Sequence, residues 1–288
     1  MHDPSHFDLH ALEAAVAATE FAGHVQHLPT ATSTNDLALA AAKAGVRNGV
    51  WVADEQTEGR GRGGHAWHST PGDGLYLSAL ITPIVPTEDA LHLSMITAIA
   101  VQAAISSVFG FRRREQIDIR WPNDLILNWR KVGGILIETS AGPATGHSST
   151  TGLSMLRFAV LGIGINLNHA EFPPELDGIA TSIRRELGHQ GEPLRRERLA
   201  GAILVALDQE IRQMVRNWQE PDTAVKRDLT AYSSWIQGKH VRVLKNDVEG
   251  SGYTGVTAGL DPQGYLMVNG DDGQAHMVLS GGLREPFS

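Results

Sequence analysis

The chain has 288 residues, 42% of them hydrophobic and 19% charged, the balance of a folded protein with one sizeable domain and room for a small one. It contains no cysteine, which excludes disulfides, thiolate zinc sites and cysteine nucleophiles and fits a cytoplasmic enzyme. Its formal net charge of −8 disfavours a general nucleic-acid binder, and no run approaches the roughly 18 continuous apolar residues of a membrane-spanning helix.

The opening MHDPSHFDLHALEAAVAA has neither a basic region nor a long apolar core and does not read as a signal peptide. A short helix is expected near Leu9 to Thr19 and a strand from His24 to Leu28. Ser33, with Asp36 three residues on, has the form of a helix N-cap, and Gly45 stands where a C-terminal cap belongs, so a helix is predicted from about Asn35 to Ala44. A strand at Val50 to Asp54 leads to Gly59 to Gly64, which has no periodicity and reads as a loop. Leu75 to Ile81 reads as a strand, and Thr87 to Phe109 contains a long helix with an apolar stripe.

Ile117 to Trp121 and Leu125 to Asn128 read as strands broken by Pro122, which cannot donate to a ladder. Asn128-Trp129-Arg130 then turns the chain into Gly134 to Glu138 as a hairpin. Ser140 to Ser154 is rich in Gly, Ser and Thr and reads as a surface connection, whereas Leu156 to Leu167 is an apolar run suited to a buried strand. Two helices are expected next, one ending near Trp218 and one near Trp235. After Gly238, short runs separated by Gly, Asp and Asn have the spacing of a small antiparallel barrel, which places a boundary near Ile236 between a domain of residues 1–235 and one of 236–288.

Four segments have the composition of a ligand site. In Glu55 to Trp67, Gly59 and Gly61 let backbone approach a ligand, Arg60 and Arg62 suit phosphate or carboxylate, and Trp67 is suited to cover a ring. The same composition also describes a solvated RGG-like segment. Arg120 to Asp124 with Lys131, Gly133 and Gly134 puts Asn123 and Asp124 at a strand break and a Lys beside open backbone, either a charged pocket or a plain hairpin with an Asx turn. Gly162 and Gly164 alternate in an apolar strand, leaving one face bare for a ligand or for close packing. Thr32 to Asn35 offers hydroxyls and an amide to a polar head group, or caps a helix. GxxxxGK[ST], HExxH and GxSxG are absent, and the 13 histidines show no metal-ligand spacing, so no metal residues are assigned.

Taken in order, STNDLA, EQTEGRGRGGHAW, GLYLSAL, RWPNDLILNWRKVGGILIE and GIGINLN resemble the biotin protein ligase family over about Thr32 to Asn168. The resemblance implies an α+β fold: a mixed β-sheet flanked by helices, like class II aminoacyl-tRNA synthetases, with a small C-terminal β-barrel. It implies formation of biotinyl-5'-AMP from biotin and ATP with Mg²⁺, then transfer to a lysine of a biotin carboxyl carrier protein or domain. By the same resemblance, Ser33, Thr34, Asn35 and Gln56 hold the ureido end of biotin, Gly134, Leu136, Gly162 and Gly164 wall its rings, and Gly59, Arg60, Gly61 and Arg62 close over it. Lys131 matches the lysine at the biotin carboxylate and the α-phosphate, so Lys131, Arg60 and Arg62 are the catalytic candidates, while Trp67, Asn123, Asp124 and Asn166 match the nucleotide side.

Two departures are visible. The family's GRGRRGRKW carries basic residues where this chain has Gly63, His65 and Ala66, which makes the loop less positive. About thirty residues precede the STN motif, too few for a winged helix-turn-helix, so a ligase without DNA binding is expected, as a monomer or homodimer. A lipoate or octanoate ligase is the alternative enzyme, a biotin-responsive regulator the alternative binding protein, and a basic-loop RNA binder the third reading.

Overall fold

A computed structural model describes residues 7–83, 85–113, 115–142, 154–217, 231–244, 251–279 and 281–285. Its centre is a seven-stranded mixed sheet in the order β1-β2-β3-β7-β6-β5-β4. The strands are β1 (Val25–Ala31), β2 (Gly49–Gln56), β3 (Gly74–Ile81), β4 (Ile117–Arg120), β5 (Asp124–Leu127), β6 (Arg130–Gly142) and β7 (Met155–Asn166). Only β1 and β2 run parallel, joined by α2 (Thr34–Lys43) as a crossover helix, and the remaining neighbours pair antiparallel. β3 and β7 read as nearly unbroken apolar runs because both faces of the sheet are covered.

The two covers differ. On one face lie α1 (Leu9–Val16), α3 (Ala90–Phe109) and α5 (Arg196–Asn217), whose apolar residues join Leu75, Leu77, Ala79 and Ile81 of β3 in the main core. On the other, Ala38 and Ala42 of α2 pack on Trp51, Leu80, Phe158 and Val160. α3 is apolar on nearly every side because it is sandwiched between sheet and α5. By length and composition Thr87–Phe109 would suffice to cross a membrane, but 72% of its most apolar 18-residue window is buried in the protein, as befits a core helix. Gly110, at φ 78, ends α3 with a left-handed cap.

Most sequence-read elements form within a few residues of their expected ends. β6 continues to Gly142 and so includes Ser140 to Gly142, which had read as connection; 143–153 lie outside the described residues. α5 ends at Asn217 as expected, and most of the helix expected to end near Trp235 falls in 218–230, also outside them. Between β7 and α5 the chain adds one short helix, α4 (Ile183–Glu186).

The expectation of a C-terminal barrel is corrected. β8 (Gln237–Leu244), β9 (Tyr253–Leu260), β10 (Leu266–Gly270), β11 (Ala275–Val278) and β12 (Gly282–Arg284) form an antiparallel sheet in the order β11-β10-β9-β8-β12, and β11 and β12 do not pair among the described residues. Closure is unnecessary for burial because the larger domain covers the apolar face of these strands. Val241, Val243, Leu266, Val268, Val278 and Leu283 join the main core, and Trp121 Nε1 donates to Gly264 O at 3.2 Å.

Candidate active site

At one end of the central sheet, α2 begins directly beneath β3 and β7. Ser33 occupies the N-cap position, as expected, but its side chain makes no capping hydrogen bond. The first turn is tied instead from β2: Gln56 Oε1 accepts from Thr34 N at 2.8 Å and from Thr34 Oγ1 at 3.0 Å. Ser78, fully buried on β3, lies 2.8 Å from Thr34 Oγ1 and 2.6 Å from Asn35 Oδ1. Asn35 Nδ2 donates to Glu138 Oε2 at 2.7 Å. Four elements therefore orient one set of small polar side chains through direct hydrogen bonds to Thr34 and Asn35. Gly162 is required here, since a Cβ on it would lie 2.2 Å from Asn35 Oδ1.

At the other end the β5–β6 hairpin supplies charge. Asp124 Oδ1 lies 2.6 Å from Lys131 Nζ, and its Oδ2 lies 2.6 Å from the Arg120 guanidinium. Burial pushes the Asp124 carboxyl up, but Lys131 and Arg120 more than offset this and hold it well below the usual carboxylate range. The backbone of Lys131 is fixed on both sides, donating to Ile179 O at 2.8 Å and accepting from Thr181 N at 2.9 Å. Asn123 is turned onto β6: its Nδ2 donates to Ile135 O at 2.9 Å, while its Oδ1 faces Arg62 at 3.5 Å.

The glycine-rich loop is more ordered than its composition suggests. Gly61 N donates to His65 O at 2.7 Å, Trp67 N to Gly59 O at 2.9 Å, and Arg60 bridges to Ala66, so the segment closes on itself. Gly63 and Gly64, at φ 71 and 81, make the tight return around a 3-10 turn at Arg62–Gly64. Arg60 grips Asp36 on α2 with both guanidinium nitrogens, and this hydrogen bonding raises the Arg60 pKa. Trp67 lies flat where Gly134 and Gly164 leave the sheet bare: Cβ atoms there would come 3.2 and 2.7 Å from its ring. Its indole N–H is buried without a hydrogen-bond partner, and Lys131 Nζ sits 5.7 Å from the ring centroid.

Between these parts lies a cavity of about 540 Å³. It collects every residue assigned a catalytic, biotin-binding or nucleotide-binding role from the sequence except Gly59 and Asn166. Gly59 stands behind the wall, where a Cβ would lie 3.0 Å from Gln56 Nε2. Asn166, buried at the end of β7, donates to Thr181 O at 3.1 Å and so supports the strap that holds Lys131. Trp67 contacts the glycines expected to wall the biotin rings, so the two expected halves of the site meet at this side chain.

Arg120 lies within a candidate segment but is given no role there, although a charge argument is within reach. Sequence reasoning missed two parts of the wall, the strap at Leu176 to Ile179 and Gly282 to Glu285 of the C-terminal sheet. These carry no motif, and only the fold brings them to the cavity. Among the described residues, no group of three or more His, Asp or Glu side chains is placed to hold a metal ion.

Residues 23–155 match the Biotin/lipoate A/B protein ligase family. The chain is 30% identical over 259 residues to the bifunctional ligase/repressor BirA of Bacillus spizizenii, covering 88% of this chain and 72% of that protein. It is 31% identical over 252 residues to the biotin–[acetyl-CoA-carboxylase] ligase of Mycobacterium tuberculosis, covering 87% and 84%. Among solved structures it is similar to the biotin protein ligase of Aquifex aeolicus in complex with biotin and ATP, with a TM-score of 0.68, 24% identity and 91% and 98% coverage. The biotin protein ligase of Leishmania major in complex with biotinyl-5-AMP aligns with a TM-score of 0.57, 25% identity and 90% and 99% coverage.

Proposed function

Because the chain belongs to the biotin protein ligase family, we propose that it joins biotin to ATP as biotinyl-5'-AMP and then transfers the biotinyl group to a lysine of a biotin carboxyl carrier protein or domain. The observation that carries this reading is the pairing of a neutral polar pocket at Ser33 to Asn35 with a cationic cluster at Lys131 and Arg120, joined within one cavity by a glycine wall on which Trp67 lies.

The ureido ring of biotin offers a carbonyl acceptor and two N–H donors. Ser33, Thr34, Asn35 and Gln56 supply complementary hydroxyl and amide groups that the fold has already dehydrated and oriented. Gln56 commits its Oε1 to Thr34, which leaves its NH₂ for a ligand carbonyl. Gly134, Leu136, Gly162 and Gly164 let flat rings approach the sheet, and the orphaned Trp67 N–H would donate to the ligand lying against it.

In the first step the biotin carboxylate oxygen attacks the α-phosphorus of ATP, a P–O bond forms, and pyrophosphate leaves. Two anions must be brought together, so positive charge held in place beforehand lowers the barrier. Lys131 supplies it, and Asp124, 2.6 Å away, holds its ammonium in place. Asn123, Asp124 and Trp67 are assigned to the nucleotide side, with Asn166, which donates to Thr181 O, acting through the strap. Mg²⁺ would enter with the nucleotide's phosphates. In the second step the acceptor amine attacks the carbonyl carbon, a C–N bond forms, and the C–O bond to AMP breaks. Arg60, Gly61 and Arg62, with Gly59 as the root of the loop, would keep water from the mixed anhydride meanwhile.

We assign the chemistry to residues 1–235 and a supporting wall to 236–288. The net charge of −8 argues against contact with DNA. The test is incubation of the purified protein with α-labelled ATP, Mg²⁺ and biotin, lipoate or octanoate, resolved by thin-layer chromatography. A labelled adenylate with biotin alone, discharged by a carboxyl-carrier domain, is expected. An adenylate with lipoate or octanoate but not biotin would overturn the substrate assignment, and none with any acid would overturn the ligase reading.

A further inference from the structure

The turn between β5 and β6 has two residues, Asn128 and Trp129, closed by the Leu127–Arg130 pair. Both have positive φ, 45° and 73°. A two-residue hairpin turn with two left-handed residues favours Asn at its first place and Gly at its second, because a side chain there meets its own backbone. This chain fills the second place with tryptophan, and Trp129 is 79% exposed, the most exposed large apolar side chain among the described residues. Neither turn geometry nor core packing accounts for it. Folding would be better served by glycine.

Its position is informative. Trp129 stands two residues before Lys131 on the lip of the cavity. Across the lip is Ile179, 62% exposed, whose carbonyl accepts from Lys131 N. Lys239 Nζ lies 5.4 Å from the Trp129 ring centroid and 3.9 Å from that of Trp235, backing the indole from the C-terminal sheet. The second half-reaction must bring a macromolecular lysine through this opening, so the acceptor has to rest on the lip while its amine reaches inward. Tryptophan is enriched among the residues that dominate association energy at interfaces.

We infer that Trp129, with Ile179 on the same lip, is the ledge on which the acceptor's carrier domain docks during biotin transfer, a partner with an apolar patch next to its exposed target lysine. The inference rests on the ligase reading above. Trp129 contributes to recognition of the acceptor and not to formation of the adenylate.

The experiment compares parent, Trp129→Gly and Trp129→Phe in three assays: adenylate formation from biotin and ATP, trapping of bound adenylate by hydroxylamine, and transfer to a purified acetyl-CoA-carboxylase carrier domain. Trp129→Gly suits the turn, so it is expected to fold at least as well as the parent. The expected result is unchanged adenylation and trapping, with kcat/KM for the carrier domain down about 30-fold through KM, the factor that corresponds to a hot-spot residue. Trp129→Phe is expected to recover most of that loss, since a ring is retained.

Carrier transfer within threefold of the parent in Trp129→Gly would overturn the inference, as would an equal loss in hydroxylamine trapping. A parent dimer that dissociates in Trp129→Gly while carrier transfer persists would assign the ledge to a second copy of this chain and overturn it too. Absence of adenylate in the parent would remove the ligase reading itself, an outcome separate from these.

Discussion

The two ends of the cavity are built on different physical terms. The end beneath α2 is a net of Thr34, Asn35, Gln56, Ser78 and Glu138, with Ser33 beside it, in which Thr34 and Asn35 are held by partners on three different strands. Its order comes from burial: polar atoms without water must find each other, and only one arrangement satisfies them together. The end at the β5–β6 hairpin is held by charge, with one carboxylate shared between Lys131 and Arg120. Such a cluster can exchange the carboxylate for an arriving anion, whereas the neutral net gains nothing by opening. One end is therefore suited to recognition and the other to chemistry.

Removing the charge should have the largest effect. Lys131→Ala is expected to slow single-turnover adenylate formation by a factor of about 10²–10³, or about 2.7–4 kcal/mol of barrier, with a much smaller change in biotin affinity. Near-normal adenylation in rapid-quench experiments would break the division between the two ends.

The converse change attacks the neutral net. In Gly162→Ala the new methyl must displace Asn35, which Ser78 and Glu138 hold in place, so biotin binding by calorimetry is expected to weaken by about 1–3 kcal/mol. Adenylation at saturating biotin should fall far less than in Lys131→Ala. Unaltered biotin affinity would show that the net does not form the ligand's seat.

Acid should separate the ends further. The folded Asp124 pKa lies below its unfolded value, so its stabilisation is complete above the unfolded pKa of about 3.9 and lost as pH falls through the folded one. Asp124→Asn leaves two cations facing each other and is expected to lower stability by about 1–3 kcal/mol, constant from pH 5 to 8 and shrinking only as pH falls below about 4 toward the folded pKa. Urea unfolding across that range checks it, and a difference that varied between pH 5 and 8 would contradict the shared-carboxylate picture.

The smallest effect is expected at the loop. The Arg60–Asp36 pair is exposed, and such pairs contribute about 0–1 kcal/mol, so Arg60→Gly should leave stability nearly unchanged and speed adenylate loss by a few-fold. A chase with unlabelled ATP measures the release rate, and equal rates would remove the lid role from Arg60.

Local physics made much of this legible in the residues alone. Strand runs at Leu75 and Leu156, the helix beginning after Ser33, and the alternation of Gly162 and Gly164 follow from periodicity and backbone freedom, which neighbouring residues decide. The motifs around Arg60, Asn123 and Lys131 likewise stand in the sequence, and their shared cavity agrees with the grouping. What a single residue looks like, however, does not say which partner it meets. Ser33 has the form of a cap, yet Gln56, on a strand 22 residues away from Thr34, ties the first turn. Asn166 has the form of a ligand residue, yet Thr181 occupies it.

The sequence by itself determined the element order, the bare glycine wall and the supply of cationic groups, because those depend on residue type and near-neighbour spacing. Only the tertiary structure decided that Lys131 would share Asp124 with Arg120, that Trp67 would lie across two glycines, and that the C-terminal strands would stay open against the larger core instead of closing into a barrel. Each of those outcomes depends on which surfaces find each other after the elements have formed, and burial is a property of the whole chain.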